Sequence, residues 1–220
     1  GNYNTAYGSR SLNANTTASD NTAVGYYALL SNTTGTRNTA MGSVTLDANT
    51  TGNDNTAYGY AALGANTTGA NNTAMGVDAL DANTTASNNT SVGYNALGAN
   101  TTGAQNTAVG GNAADAVTTG SNNTAVGYES AGKLTTGTDN VAIGRAALLD
   151  TTTHSGNVAV GVEALENNTA DDNTGVGKHS LRANTTGSNN VGVGRNALLA
   201  NTTGAGNTAV GASSLDDNTT

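Results

Sequence analysis

Apolar and polar residues follow one short period along the whole chain. The motif Asn-Thr-Ala-Val-Gly and its variants open at Asn4, Asn21, Asn38, Asn55, Asn72, Asn89, Asn106, Asn123, Asn140, Asn157, Asn173, Asn190 and Asn207. Eleven of the twelve intervals are seventeen residues, and one, from Asn157 to Asn173, is sixteen. Such a period marks a repeat architecture in which each unit buries its face on the next. The fourth position is Val, Ile, Met or Tyr, and the ninth is Leu in eleven copies and Ala in two, Ala114 and Ala131. Two large apolar residues five apart fit neither a helix nor a heptad, and the Gly, Asn and Thr in every unit disfavour helix further. The pattern predicts an all-β fold, a parallel β-solenoid or β-roll of thirteen 17-residue coils. Each coil is a short "NTAVG" strand, an "xxAL" segment and a polar "NTTG" corner, stacked on the next at about 4.8 Å. Residues 1–220 read as a single repeat array and, because both ends fall inside the pattern, as a piece of a longer fibre.

The columns carry further expectations. The fifth position is Gly in every copy: Gly8, Gly25, Gly42, Gly59, Gly76, Gly93, Gly110, Gly127, Gly144, Gly161, Gly177, Gly194 and Gly211. Such a column implies either φ > 0 at the strand bend or a backbone contact too close for a Cβ. The third position is Ala except at Ser91, Gly175 and Gly192. Alternation along the strand sets this small column opposite the fourth. With the fourth and ninth columns taken as the core, the Ala/Gly face is free to pack closely against another chain. Ordering seventeen residues for two buried side chains leaves a lone coil marginal, so partners are expected. Charged residues share the sixth, seventh and tenth columns, among them Arg145, Glu163, Asp47 and Arg182, and read as solvated.

Asn-Thr-Thr recurs at Asn15, Asn32, Asn49, Asn66, Asn83, Asn100, Asn184, Asn201 and Asn218. Each is formally an acceptor for N-linked glycan. In the coils where the ninth residue is Ala114 or Ala131, however, the twelfth is Val117 or Leu134 instead of Asn. One apolar residue is lost as another appears three places on. The twelfth side chain is therefore expected to point inward, making these Asn an internal ladder, with glycan sites as the competing reading.

Composition narrows the function. The chain has 7 Lys and Arg against 15 Asp and Glu, a formal net charge of -8, which argues against nucleic acid because phosphate neutralisation needs clustered cations. There is no cysteine for a disulfide or thiolate site, and no apolar run long enough for membrane insertion. "GYESAGKL" from Gly127 has phosphate-loop spacing but places Leu134 where a Ser or Thr would hold magnesium. "GVGRNA" from Gly192 has no helix to follow it. His154 and His179 stand alone, Asp171-Asp172 and Asp216-Asp217 read as solvated corners, and the calcium-solenoid signature is absent. No enzyme and no cofactor are expected.

"NTAVGYYAL" (Asn21 to Leu29), "NTAMGVDAL" (Asn72 to Leu80) and "NVAIGRAAL" (Asn140 to Leu148) resemble the head repeats of trimeric autotransporter adhesins. The longer unit with "NTTG" resembles repeats of phage and bacterial tail-fibre proteins. The resemblance covers the whole chain. It implies a left-handed parallel β-roll, a homotrimer, and a cell-surface or virion location in contact with a host surface, matrix or glycan receptor. The leading reading is a structural and interaction segment of an extracellular fibre. The alternative is an ice-binding β-solenoid using Thr columns, at the second position (Thr5 to Thr124, then Val141 and Val158) and at corner pairs such as Thr16-Thr17. A weaker third is a glycan-cleaving fibre whose active site lies outside these residues.

Overall fold

The computed structural model describes residues 1–220. All of its regular structure is β, as thirteen three-residue strands: β1 (Thr5–Tyr7), β2 (Thr22–Val24), β3 (Thr39–Met41), β4 (Thr56–Tyr58), β5 (Thr73–Met75), β6 (Thr90–Val92), β7 (Thr107–Val109), β8 (Thr124–Val126), β9 (Val141–Ile143), β10 (Val158–Val160), β11 (Thr174–Val176), β12 (Val191–Val193) and β13 (Thr208–Val210). The chain divides into two compact units, Gly1–Ala108 and Val109–Thr220. Each is a parallel β-solenoid of seventeen-residue coils, with one coil of sixteen in the second.

Within the first unit successive strands pair in parallel, one repeat apart. Thr22 lies opposite Thr39, Ala23 opposite Ala40 and Val24 opposite Met41. The second unit follows the same rule even across its sixteen-residue coil, where Val158 pairs with Thr174 and Val160 with Val176. The missing residue is taken up in the corner, where Asn168 Nδ2 donates to the Ala170 carbonyl at 2.7 Å.

Coil-to-coil bonding extends far beyond the strands. Thr22 donates its N–H to the Asn38 carbonyl of the following coil at 2.8 Å, and Gly42 donates to the Val24 carbonyl of the preceding one at 2.8 Å. Three residues per coil adopt the left-handed conformation so that their N–H groups also reach an adjacent coil. In the second coil these are Tyr27 (φ 61°), Leu29 (φ 51°) and Arg37 (φ 56°). Their partners are the carbonyls of Ser9, Thr45 and Ser19, at 3.1, 3.1 and 3.2 Å. Left-handed geometry costs an ordinary L-residue about 1 to 2 kcal/mol, and here each such residue gains an inter-coil bond in return.

The fifth-column glycines, from Gly8 to Gly211, all have φ between 123° and 147°. A Cβ on Gly25 would overlap the Gly42 carbonyl, and one on Gly59 would overlap that of Gly76. At these positions both of the alternatives raised for this column hold at once: the conformation belongs to glycine and there is no space for a side chain, whereas at Gly211, in the terminal coil, the conformation alone requires it.

The interior is narrow. In a typical coil it holds the third-column Ala, the eighth-column Ala, the ninth-column Leu and two Asn amides, as with Ala57, Ala62, Leu63, Asn55 and Asn66, each no more than 1% exposed. This overturns the expected orientation of the strand. The third column faces inward and the fourth faces outward, where Met41 is 38%, Tyr58 55% and Met75 45% exposed. The reason is width: one large side chain per coil fills the interior beside two amides, leaving only methyl-sized room on the strand's inner face. Ala108 is fully buried, so it is no part of an intermolecular face. Where the third column is Ser91, the hydroxyl donates internally to the Ala96 carbonyl at 2.6 Å. Where it is Gly192, an added Cβ would meet Ser180 Oγ at 2.6 Å, so the eighth-column hydroxyl fills that space.

Gly59→Val must both force φ from 134° and displace a carbonyl, and is expected to cost on the order of 3 kcal/mol or more. Thr68→Val, at an exposed corner position of the same unit, is expected to change stability by less than about 0.5 kcal/mol. Denaturant melts of the two variants measure the difference, and equal midpoints would contradict this account of the glycine column.

Candidate interaction surface

The twelfth-column Asn side chains lie inside the coil. Asn32, Asn49, Asn66, Asn83, Asn100, Asn184 and Asn201 have no exposed surface, while Asn15 and Asn218, in the terminal coils, are half-buried. Asn66 Nδ2 donates to Asn49 Oδ1 at 2.9 Å and to the Gly69 carbonyl at 3.1 Å, and Asn83 Nδ2 donates in turn to Asn66 Oδ1 at 2.9 Å. A sugar on Asn66 would displace both bonds of its amide nitrogen. These residues hold the coil together, and they place no polar group on the outer surface.

A second ladder, built from the opening Asn of each repeat, was not foreseen from the sequence. Asn38 Oδ1 accepts the Asn55 backbone N–H at 3.0 Å, while Asn38 Nδ2 donates to the Gly52 carbonyl at 2.8 Å. That same carbonyl accepts from Asn49 Nδ2 at 3.1 Å. In the second unit Gly204 O is shared in the same way, by Asn190 at 2.7 Å and Asn201 at 3.0 Å. The sequence signal was present in the strict recurrence of Asn at the first position, but in isolation such a residue also suits a turn.

Corner threonines divide into two kinds. The first of each pair is consumed by the backbone: Thr33 Oγ1 donates to the Thr50 carbonyl at 3.1 Å and Thr50 Oγ1 to Thr67 at 3.0 Å. The second, as in Thr34, Thr51, Thr68 and Thr85, is exposed. Second-column Thr side chains lie on the outer strand face beside the apolar fourth column, exposed at Thr5, Thr56 and Thr208 and half-buried in the other coils.

The outer face therefore carries the variable chemistry. In the first unit the fourth column reads Tyr7, Val24, Met41, Tyr58, Met75 and Val92, and the sixth contributes Tyr26, Tyr60, Val77 and Tyr94. In the second unit the fourth column is Val or Ile throughout, with Val141, Val158 and Val191 beside it in the second. Ile143 is 39% exposed, and Val126, Val160, Val176 and Val193 are half-buried. Set against protein-family profiles, characterised proteins and solved structures, the chain matches none.

The charged columns are less solvated than expected. Asp47, Asp81 and Asp115 are half-buried, and burial pushes their carboxyls above the usual range. In the second unit Glu163, with 14% of its side chain exposed, lies 3.1 Å from His179 Nε2 and 3.4 Å from Arg182, and accepts a hydrogen bond from Arg145. Arg182 Nε also donates to Glu166 at 2.5 Å. His179, solitary in the sequence, meets Glu163 because stacking brings residues one coil apart into contact. Lys133, from the phosphate-loop look-alike, pairs with Asp150 at 2.6 Å.

Two outcomes follow. Leu63→Ala should cost about 2 to 5 kcal/mol, and adding Asn66→Leu should restore at least half of it, reproducing the Ala131/Leu134 arrangement in which both are buried. The Gly69 carbonyl keeps its bond from Asn55 Nδ2 at 2.9 Å, while Asn49 Oδ1 loses its donor, as Asn100 Oδ1 already lacks one beside Val117. Additive losses in denaturant melts would contradict it. The second outcome concerns Glu163, whose carboxyl is held below the usual range first by the hydrogen bond from Arg145, then by the charges of Arg182, Arg145 and His179, against the opposing effect of burial. A lowered folded-state pKa stabilises above the ordinary glutamate range, and that stabilisation fades as pH falls through the lowered value. The melting-temperature gap between the wild type and Glu163→Gln should accordingly be widest near neutrality and shrink under acid; a gap that widens in acid would contradict this.

Proposed function

We propose that the chain is a structural and interaction segment of an extracellular fibre, on a cell surface or virion, whose copies pack as a homotrimer and display their outer columns to a host surface, matrix or glycan. The observation that carries this reading is the exposed apolar fourth column. In monomeric proteins a contiguous apolar patch of this kind is uncommon and marks a contact surface. The second unit supports the assembly most directly: Val126, Ile143, Val160, Val176 and Val193 form one outward, β-branched sheet face without a charge. Such side chains suit close packing of one sheet on another. The thin interior adds an energetic motive, since each coil buries one Leu and little else that is large. A repeated coil also presents any outer side chain at a fixed interval, which favours multivalent contact.

The ice-binding alternative draws less support. The first hydroxyl of the corner pair is committed to the neighbouring coil, and the second column is interrupted by Val141, Val158 and Val191.

Light scattering on the purified chain should give three times 21.5 kDa. Val160→Lys, on the outer face, should reduce the mass to that of one chain while leaving the β-sheet circular dichroism unchanged. A wild-type chain that stays monomeric at high concentration would overturn the assembly, and measurable thermal hysteresis would favour the ice-binding reading.

A further inference from the structure

In the first unit the sixth column alternates in a way the coil itself does not require. Tyr26, Tyr60 and Tyr94 stand in every second coil, with Ser43 and Val77 between them. They are 51%, 57% and 61% exposed. All three follow a fifth-column glycine, so the backbone bends immediately before each ring. Tyr26 is stacked on Tyr27 with ring centroids 3.9 Å apart, and the Arg10 guanidinium lies 5.6 Å from the Tyr27 ring centre. Tyr60 opens on a groove of about 410 Å³ that it lines together with Val24, Met41, Gly42, Tyr58 and Gly59. Because the glycine column admits no side chain, that floor stays open.

We propose that the first unit binds an extended, neutral β-1,4-linked polysaccharide along this column, with Tyr60 at the groove and Tyr26 and Tyr94, two coils to either side, as the flanking stacking platforms. The inference rests on the reading of the chain as an interaction segment and names the class of polymer that its first unit would hold. Three observations favour this ligand. First, two coils advance about 9.4 to 9.8 Å, on the order of the nanometre over which such a chain repeats. Alternate sugars in it are flipped, so the same pyranose face returns at every second residue, as the tyrosines return at every second coil. Only two intervals separate the three platforms, and rotation of the phenol rings absorbs a small mismatch. Second, the groove residues carry no charge, which suits a neutral polymer. Third, an aromatic ring offers an apolar π-face to the C–H face of a sugar and a hydroxyl that can donate to or accept from its hydroxyls.

Peptides fit less well. An extended strand repeats its side chains every two residues, about 6.6 to 6.8 Å, out of step with the tyrosines. A polyproline-II peptide has a turn of about 9.3 Å, which is close in length. Its backbone carbonyls, however, need donors, and the floor amides of Gly42 and Gly59 are already spent on the Val24 and Met41 carbonyls at 2.8 and 2.9 Å.

The test is calorimetric titration of the whole chain with soluble cellohexaose and chitohexaose, alongside a proline-rich hexapeptide. At least one hexasaccharide should bind, and Tyr60→Ala should weaken it about tenfold or more, whereas Tyr60→Phe should retain most of the affinity. Tyr3→Ala, outside the column, should have no effect. All three variants should keep the wild-type melting temperature, because these side chains are exposed. Absence of hexasaccharide binding, binding indifferent to Tyr60→Ala, or preference for the peptide would each overturn the proposal. Light scattering of Tyr60→Ala separates this from the assembly: an unchanged mass leaves the groove as a ligand site, while dissociation would assign Tyr60 to the contact between copies and overturn the glycan reading.

Discussion

Two asparagine amides meeting at one backbone carbonyl are the constraint on which the rest of this fold depends. Gly52 O receives both Asn38 Nδ2 and Asn49 Nδ2, and each of these side chains also bonds to the neighbouring coil. A closed loop of seventeen residues has too small an interior to be held by apolar burial alone, and its corner carbonyls would otherwise be stranded in that interior. A buried polar group without a partner costs about 1 to 3 kcal/mol. The ladders remove that penalty and fix the corner against the strand at the same time. They also set the register, because an amide that bonds its equivalent in the next coil cannot do so if the coil slips.

The same demand shapes the backbone. For every coil to bond the ones above and below, some N–H groups must point forward and others back, as those of Thr22 and Gly42 do. Left-handed residues such as Tyr27 and Leu29 complete this pattern, and glycine is required where the φ lies near 135° and the next carbonyl stands where a Cβ would be. Leu29 is instructive: it is fully buried although its φ of 51° is one that a branched aliphatic residue seldom adopts. Its burial and its inter-coil bond together outweigh the local strain.

The columns were legible in the sequence because each coil repeats one physical problem thirteen times, and the β-solenoid follows from their period. Which side of the strand faces inward was not legible in the same way. Alternation says that Ala57 and Tyr58 point in opposite directions; it is the width of the coil that decides between them, and width depends on the corner. The inward direction of the twelfth column could be inferred because Val117 and Leu134 stand in for a missing Leu. The strand offered no such substitution: its third position is small in every copy, which suits a narrow interior and an open face equally well. Contacts between coils, such as Glu163 with His179, were hidden because residues about sixteen apart in sequence have no local signature.

The inversion of the strand changes what the repeat is for. With Ala, Leu and Asn turned inward, stability depends on columns that scarcely vary along the chain, whereas the fourth and sixth columns are released from packing. They vary accordingly: the fourth is Tyr, Met or Val in the first unit and Val or Ile in the second, while the sixth carries alternating tyrosines in the first and Tyr128, Arg145, Lys178 and Arg195 in the second. Had the fourth column been the core, Tyr58 and Met75 would have to occupy the volume filled elsewhere by Val92, and the interior could not keep a constant cross-section. Placed outside, the same differences cost the coil little and alter only what the surface can touch. A solenoid whose scaffold and display positions are separated in this way can change its contacts from coil to coil without changing its fold, and this separation is the strongest structural argument for reading the chain as an interaction surface.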